Sequence, residues 1–296
     1  MNNHQVIRTA VKSPITAKEV IMVNTETVSA MSLLCMSISL LITLVMPIVL
    51  VVVLCVRRKI HILPVLIGAA VFTVFQLIIR IPALTIASQL SPEFKAFTGD
   101  PLWGGLFLGL TAGIFEEFGR FIGYKVALKK RTGWNDGLAF GLGHGGIEAV
   151  TLAGLAFINN IIYALMINTG NWGLIEKALP ADQAKQLFES MVNTPSYMFL
   201  VGGMERIFAM TIQVALSILV LYAIRRRKFI YVLLAVLLHL VVDSPIIFLM
   251  QQTGVWGTEA YAMICAIASA IYIVCSRKVF ARMDAQAQSM NPAEPV

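Results

Sequence analysis

The amino-acid sequence predicts an all-α fold: a polytopic transmembrane helical bundle of about seven spanning helices, with a polar cavity among spans 3–6. Three observations carry this. Of 296 residues, 58% are hydrophobic and 13% charged, about half the charge that a soluble domain carries. The apolar residues come in blocks of the roughly 20 residues needed to cross a bilayer core. The few charges inside those blocks are concentrated in the middle of the chain rather than scattered.

Taken in order, residues 1–28 read as a polar tail. The apolar run 29–56 is too long for a signal-peptide core and lacks a cleavage site, so it reads as a retained helix. Further spans are expected at 61–83, 102–126, 135–167, 196–223, 229–251 and 258–276, within a transmembrane domain over 29–282 and before a flexible tail over 283–296. Basic clusters fall at every second junction: Arg57, Arg58 and Lys59; Lys129, Lys130 and Arg131; Arg225, Arg226, Arg227 and Lys228; Arg277, Lys278 and Arg282. This alternation predicts a multi-pass protein of the cell membrane with its N-terminus outside and its C-terminus cytoplasmic, although Arg8, Lys12 and Lys18 blur the first helix. The long loop 168–195 contains an amphipathic segment, Ala181 to Val192, expected to lie as a short helix on the outer face. The lipid bilayer is thus the first partner. Basic residues confined to span ends argue against nucleic acid as another. Cys35, Cys55, Cys265 and Cys275 lie in apolar runs without metal-ligand spacing and read as packing residues.

A charge at the centre of a spanning helix costs about 2.5–3.5 kcal/mol on insertion scales. The third span nevertheless holds Glu116, Glu117 and Arg120; the fourth, His144 and Glu148; the fifth, Glu205 and Arg206; the sixth, His239 and Asp243. Glu116 and Arg120, His144 and Glu148, and His239 and Asp243 are each four apart and so share a helix face. At about 1.5 Å per residue, Glu116, Glu117, His144 and His239 fall roughly 12–18 Å from the inner end of their spans, at one level. Glu205 and Arg206 come out above them. His144 sits in a glycine-rich run, Gly141 to Gly146, that permits close helix approach and leaves room beside the imidazole. Pro245 removes the normal helical partner of the Val241 carbonyl.

Peptide hydrolysis needs an activated water, an oxyanion stabiliser and a proton donor for the leaving amine. A desolvated glutamate is a stronger base than one in water. Two histidines from other helices can serve the oxyanion, and Asp243 can fix the tautomer of His239. The reading favoured is a glutamate-activated water without a cofactor. The alternative is zinc on Glu116, His144, His239 and Asp243, for which the helical His-Glu-x-x-His signature is absent.

Three stretches then occur in order on separate spans: Glu116-Glu117-Phe118-Gly119-Arg120, Phe140 through His144, and His239 through Asp243. Over about residues 100–250 they resemble the CAAX-processing and bacteriocin-processing (CPBP) membrane proteases, with motifs Glu-Glu-x-x-x-Arg, Phe-x-x-x-His and His-x-x-x-Asn or Asp. The Gly-Arg ending and the His-Gly-x-x-Glu stretch look most similar to the bacterial YhfC-type branch of intramembrane proteases. The resemblance implies that Glu116 activates water with Glu117 and Arg120 in support, and that His144, His239 and Asp243 bind or stabilise the oxyanion. It implies a membrane-anchored peptide or protein as substrate. Here two residues rather than three separate Glu117 from Arg120, so either glutamate remains open as the base.

Plainer roles stand beside these. Two acids against one arginine are more than a structural ion pair needs. Glu148 divides evenly between pairing with Arg206 and serving His144. Glu205 and Arg206 read as structural support, and Arg80 as a snorkelling side chain with no role. Two other functions compete: an ion-coupled transporter, disfavoured because no second half repeats the polar spans, and a non-catalytic scaffold or immunity protein. The predicted depth of the site suggests cleavage towards the cytoplasmic side.

Overall fold

The computed structural model describes residues 26–57 and 59–290, so most of the predicted polar tail, Arg58 and residues 291–296 lie outside the described residues. Every regular element among the described residues is helical. In chain order they are α1 (Ala30–Val56), α2 (Ile62–Leu90), the short α3 (Pro92–Thr98), α4 (Trp103–Val126), α5 (Trp134–Asn168), the short α6 (Gly173–Ala178), α7 (Ala181–Asn193), α8 (Ser196–Arg226), α9 (Ile230–Asp243) and α10 (Pro245–Met290). Among the described residues, five stretches are long and apolar enough to cross a membrane: α1, α2, α5, α8 and the run from Ile230 to Ser289. The protein is therefore a helical membrane protein.

The sequence explains where the helices start and stop. Ser29 caps α1 by accepting from the Ser32 amide at 3.0 Å, and Asp136 closes the first turn of α5 by accepting from the Gly133 amide at 3.0 Å. α8 ends where Arg227 turns left-handed, φ 54°, which reverses the chain into α9. α10 is interrupted at Gly254, φ 66°, a conformation open to glycine and costly for other residues. There the chain folds back: Tyr261 donates to the carbonyl of Val241, and Trp256 stacks on Tyr197 at the start of α8. The helix then continues to Met290 rather than giving way to a tail at 283. Arg225 holds Asp284 at 2.5 Å, giving that last stretch a fixed partner.

Glycines let the central helices touch. A Cβ on Gly143 would sit 1.9 Å from the Val65 carbonyl oxygen, and one on Gly68 2.1 Å from that of Phe140. α2 and α5 therefore cross with backbones in contact. The glycine run around His144 does what its composition predicts. Gly105, Gly109 and Gly113 on α4 admit α9 in the same way. The main core lies between α2, α4, α5 and α8, around Tyr124, Phe140, Ile218 and Leu221. A second apolar cluster ties α1 to the loop region through Val28, Phe157, Trp172 and Met191. The amphipathic helix expected over 181–192 forms as α7, turning Ala184 and Met191 inward. Arg277 lies over the Trp134 ring and Arg225 reaches Asp284, so the basic ends of α8 and α10 and the start of α5 share one end of the bundle.

Candidate active site

Three segments of the wide, five-residue-bonded helix type interrupt the spans, at Leu41–Val45, Thr73–Arg80 and Ala149–Gly154. Such segments shift the register of the side chains that follow and concentrate at functional sites. The second carries Gln76 and Arg80, and the third begins just after Glu148. Both border a cavity of about 360 Å³ walled by α2, α4, α5, α8, α9 and α10.

Glu116 stands at the centre. Its Oε1 accepts from the Gln76 amide. Its Oε2 lies 2.9 Å from His144 Nε2 and accepts from Arg120 and from Gln213 Nε2, each at 3.1 Å. Arg120 also donates to Glu117 and to Gln213 Oε1. Glu117 in turn meets His239 Nδ1 at 2.8 Å, while His239 Nε2 lies 3.2 Å from Asp243 and 3.9 Å from Glu116 Oε1. Glu148 accepts from Gln213 Nε2 at 2.6 Å and pairs with Arg206 at 3.5 Å; Arg206 also bonds Glu205. Arginine 120 thus bridges both glutamates, as the i+3 and i+4 spacing predicts.

The residues singled out in the sequence therefore converge: Glu116, Glu117, Arg120, His144, Glu148, Glu205, Arg206, His239 and Asp243 form one connected network. Their exposures divide them. Glu116, Glu148, Glu205, Arg206, His239 and Asp243 line the cavity, whereas Glu117, Arg120 and His144 lie behind its wall with no exposed surface. Of the two adjacent glutamates, Glu116 faces the space a substrate could enter. Phe140 touches no reacting group. It is fully buried, stacks on Tyr124 at 4.4 Å and backs the His144 ring at 6.3 Å.

Two expectations change. Arg80 does not snorkel. It donates to Gln76 Oε1 at 3.1 Å, to the Leu108 carbonyl at 2.6 Å and to Thr111, and it lines the cavity. Turned inward by its wide helical segment, it reaches acceptors on α4 before it reaches a headgroup. The zinc set read from spacing also shifts. Among the described residues, the group whose ligand atoms lie within 4.8 Å of one another is Glu116, His144 and Glu148. His239 and Asp243 instead engage each other, one turn apart on α9. Gln76 and Gln213 escaped the sequence reading because a search weighted on charge passes over neutral amides. Their signal was there: Gln76 lies four residues before Arg80, and Gln213 seven after Arg206, on the same helix faces.

The donor set suits a divalent cation. Two carboxylates and an imidazole make a set of three protein ligands, the number that catalytic zinc takes. His144 Nδ1 is buried without a hydrogen-bond partner, so the ring has a nitrogen to spare. Five carboxylates (Glu116, Glu117, Glu148, Glu205 and Asp243) face three guanidiniums (Arg80, Arg120 and Arg206) in and behind the cavity. The carboxylates outnumber the guanidiniums, which favours further positive charge there, from a divalent ion, from the His239 ring between Glu117 and Asp243, or from both.

Comparison with known proteins agrees with this chemistry. The family described as YhfC intramembrane metalloprotease matches over residues 41–268. A Bacillus subtilis (strain 168) protein described as "Uncharacterized membrane protein YhfC" is 38% identical over 221 residues, covering 72% of this chain and 84% of that protein. No solved structure matches. The family description does not support the expectation that no cofactor is used.

Proposed function

Because the chain belongs to the YhfC intramembrane metalloprotease family, we propose that it is an endopeptidase that cleaves a membrane-anchored peptide or protein at the Glu116 cavity, with a divalent metal, zinc by its donors, held by Glu116, His144 and Glu148. The observation that carries this is the convergence of those three ligand groups within 4.8 Å at the edge of a cavity inside a membrane helix bundle. The ion, when bound, supplies Lewis-acid polarisation of the scissile carbonyl and activation of a water at neutral pH. The chain's own residues do the rest. Gln76, Arg120 and Gln213 hold Glu116 in place. Arg80 offers guanidinium donors along the wall for a substrate carbonyl. His239, protonated on both nitrogens between Glu117 and Asp243, keeps Nδ1–H on Glu117 and gives its Nε2 proton to the leaving amine; Asp243 takes up the proton that the attacking water loses and returns it to Nε2. Phe72, Leu108, Ile212 and Leu216 keep bulk water from the cavity.

The chain makes seven passes in this reading. α4 crosses despite Glu116, Glu117 and Arg120, because all three face the bundle, and α10 returns after Gly254 as the last. The N-terminus is outside, the basic ends are cytoplasmic, and the cut falls towards the cytoplasmic side. We read the family as a relative of the CPBP proteases, a reading supported by the order of the three motifs.

A second reading, hydrolysis by a water that Glu116 activates without metal, is favoured by one distance. His144 Nε2 and Glu116 Oε2 are 2.9 Å apart, a hydrogen-bond distance; as two ligand atoms of one tetrahedral zinc with bonds of about 2.0–2.1 Å they would stand roughly 3.3 Å apart. One experiment tests both. Membrane proteomes of cells expressing the intact protein or its Glu116→Ala, His144→Ala and His239→Ala variants are compared for peptides that shorten only with the intact protein. A product lost in all three variants while they remain folded supports hydrolysis here, and its loss with chelator selects the metal route. If no cleavage depends on these residues but a phenotype or an ion flux does, the scaffold or transporter reading takes over.

A further inference from the structure

Each carboxylate proposed as a ligand has an outer and an inner oxygen. The outer oxygen of Glu116, Oε1, is held by Gln76, and that of Glu148, Oε1, by Arg206. The inner oxygens, both Oε2, share one donor: Gln213 Nε2, at 3.1 Å from Glu116 and 2.6 Å from Glu148, with Glu116 Oε2 also accepting from Arg120 and meeting His144. The amide has two N–H bonds to give, and it gives them to two carboxylates on two different helices. Its own Oε1 accepts from Arg120. That contact fixes the orientation of the amide. Flipped, it would set N–H against guanidinium and carbonyl oxygen against two carboxylates. Gln213 is buried, and Ser217 one turn on bonds its backbone carbonyl at 2.8 Å, in the close crossing of α8 over α5.

We propose that Gln213 is the positioning residue of the metal centre: its amide donors stand between Glu116 and Glu148 and keep both inner oxygens converged when no cation is there to do so. This rests on the metal-dependent reading above. The physical reason is electrostatic. Two carboxylates brought together at low dielectric repel unless a positive group lies between them. Arg120 and Arg206 each hold one carboxylate from its own side; between the two carboxylates the amide hydrogens supply partial positive charge without putting a full charge where a cation would enter. A lysine or arginine at 213 would neutralise the pair and displace the ion; an apolar residue would let the carboxylates part. The partners that hold ligands from behind are known to govern metal affinity, typically by 10–100-fold.

The test uses the full-length protein in nanodiscs, stripped of metal, with zinc as the probe. Zinc uptake is measured by competition with a chromogenic chelator, and the thermal midpoint is followed with and without zinc. The intact protein is expected to take up zinc and the Glu148→Gln variant to lose it. Gln213→Leu, which preserves bulk, is expected to bind about 10–100-fold more weakly while remaining folded without metal. Gln213→Glu keeps the acceptor for Arg120 but puts a third carboxylate where the donors stood. It is expected to melt lower than the intact protein without metal and to gain more from zinc. That contrast is absent if position 213 serves only packing, since both variants would then lose stability alike. Zinc affinity of Gln213→Leu within about twofold of the intact protein, with Glu148→Gln still impaired, overturns the role of Gln213 and leaves the metal centre standing. If the intact protein itself takes up no zinc, the zinc-dependent reading falls and this inference falls with it.

Discussion

The hydroxyl of Tyr261 donates to the carbonyl of Val241, the carbonyl that Pro245 leaves without its helical partner. A proline two residues after Asp243 would otherwise open a gap in the backbone bonding beside the cavity. Tyr261, on the returning half of α10, fills it and ties the two arms of that helix together. Tyr261→Phe should therefore lower the thermal midpoint in detergent by about 2–4 °C, as a loss of roughly 1 kcal/mol would in a domain of this size. An unchanged midpoint would mean that the fold-back is held by other contacts.

The contact of α2 with α5 has no slack. A methyl on Gly143 would meet the Val65 carbonyl oxygen at 1.9 Å, and backbone cannot yield as a side chain can. Gly143→Ala should cost about 1–3 kcal/mol or more by overpacking. Because His144 is the next residue, proteolysis should fall by more than the loss of folded protein explains. Gly173→Ala, with open space around it, is the control and should leave both unchanged.

Adjacent glutamates should behave differently. Glu116 lines the cavity, while Glu117 is sealed behind it between Arg120 and His239. Glu116→Gln also loosens Arg120, which keeps Glu117, and its main effect should be a loss of cleavage per folded molecule by a factor of about 10² or more, as expected when a reacting group is removed. Glu117→Gln removes one partner of a buried ion pair and should cost about 3–5 kcal/mol, appearing first as lost folded protein. The pair of variants, compared for yield and for cleavage per folded molecule, separates the two roles. Equal behaviour would refute the division.

Chelation should stop cleavage by the purified protein in nanodiscs, and zinc should restore it. Activity that persists after exhaustive chelation, with Glu116→Gln still dead, would select the metal-free glutamate route instead.

The sequence alone determined the helical membrane protein and the set of intramembrane polar residues that meet inside it. Those follow from local rules: apolar length, the cost of intramembrane charge, and the four-residue spacing that puts Glu116 and Arg120, or His239 and Asp243, on one face. It also foresaw the close approach of the glycine run. Tertiary structure decided which partner each group takes. Glu148 pairs with Arg206 and Gln213 rather than serving His144, Arg80 turns inward to α4, and Glu116 rather than Glu117 opens on the cavity. These choices depend on how helices distant in sequence are rotated against one another. The wide helical segments at Thr73–Arg80 and Ala149–Gly154 set part of that rotation. Linear spacing fixes angles only within a helix, so no periodicity along the chain could have placed Gln76 and Gln213 around the same carboxylate.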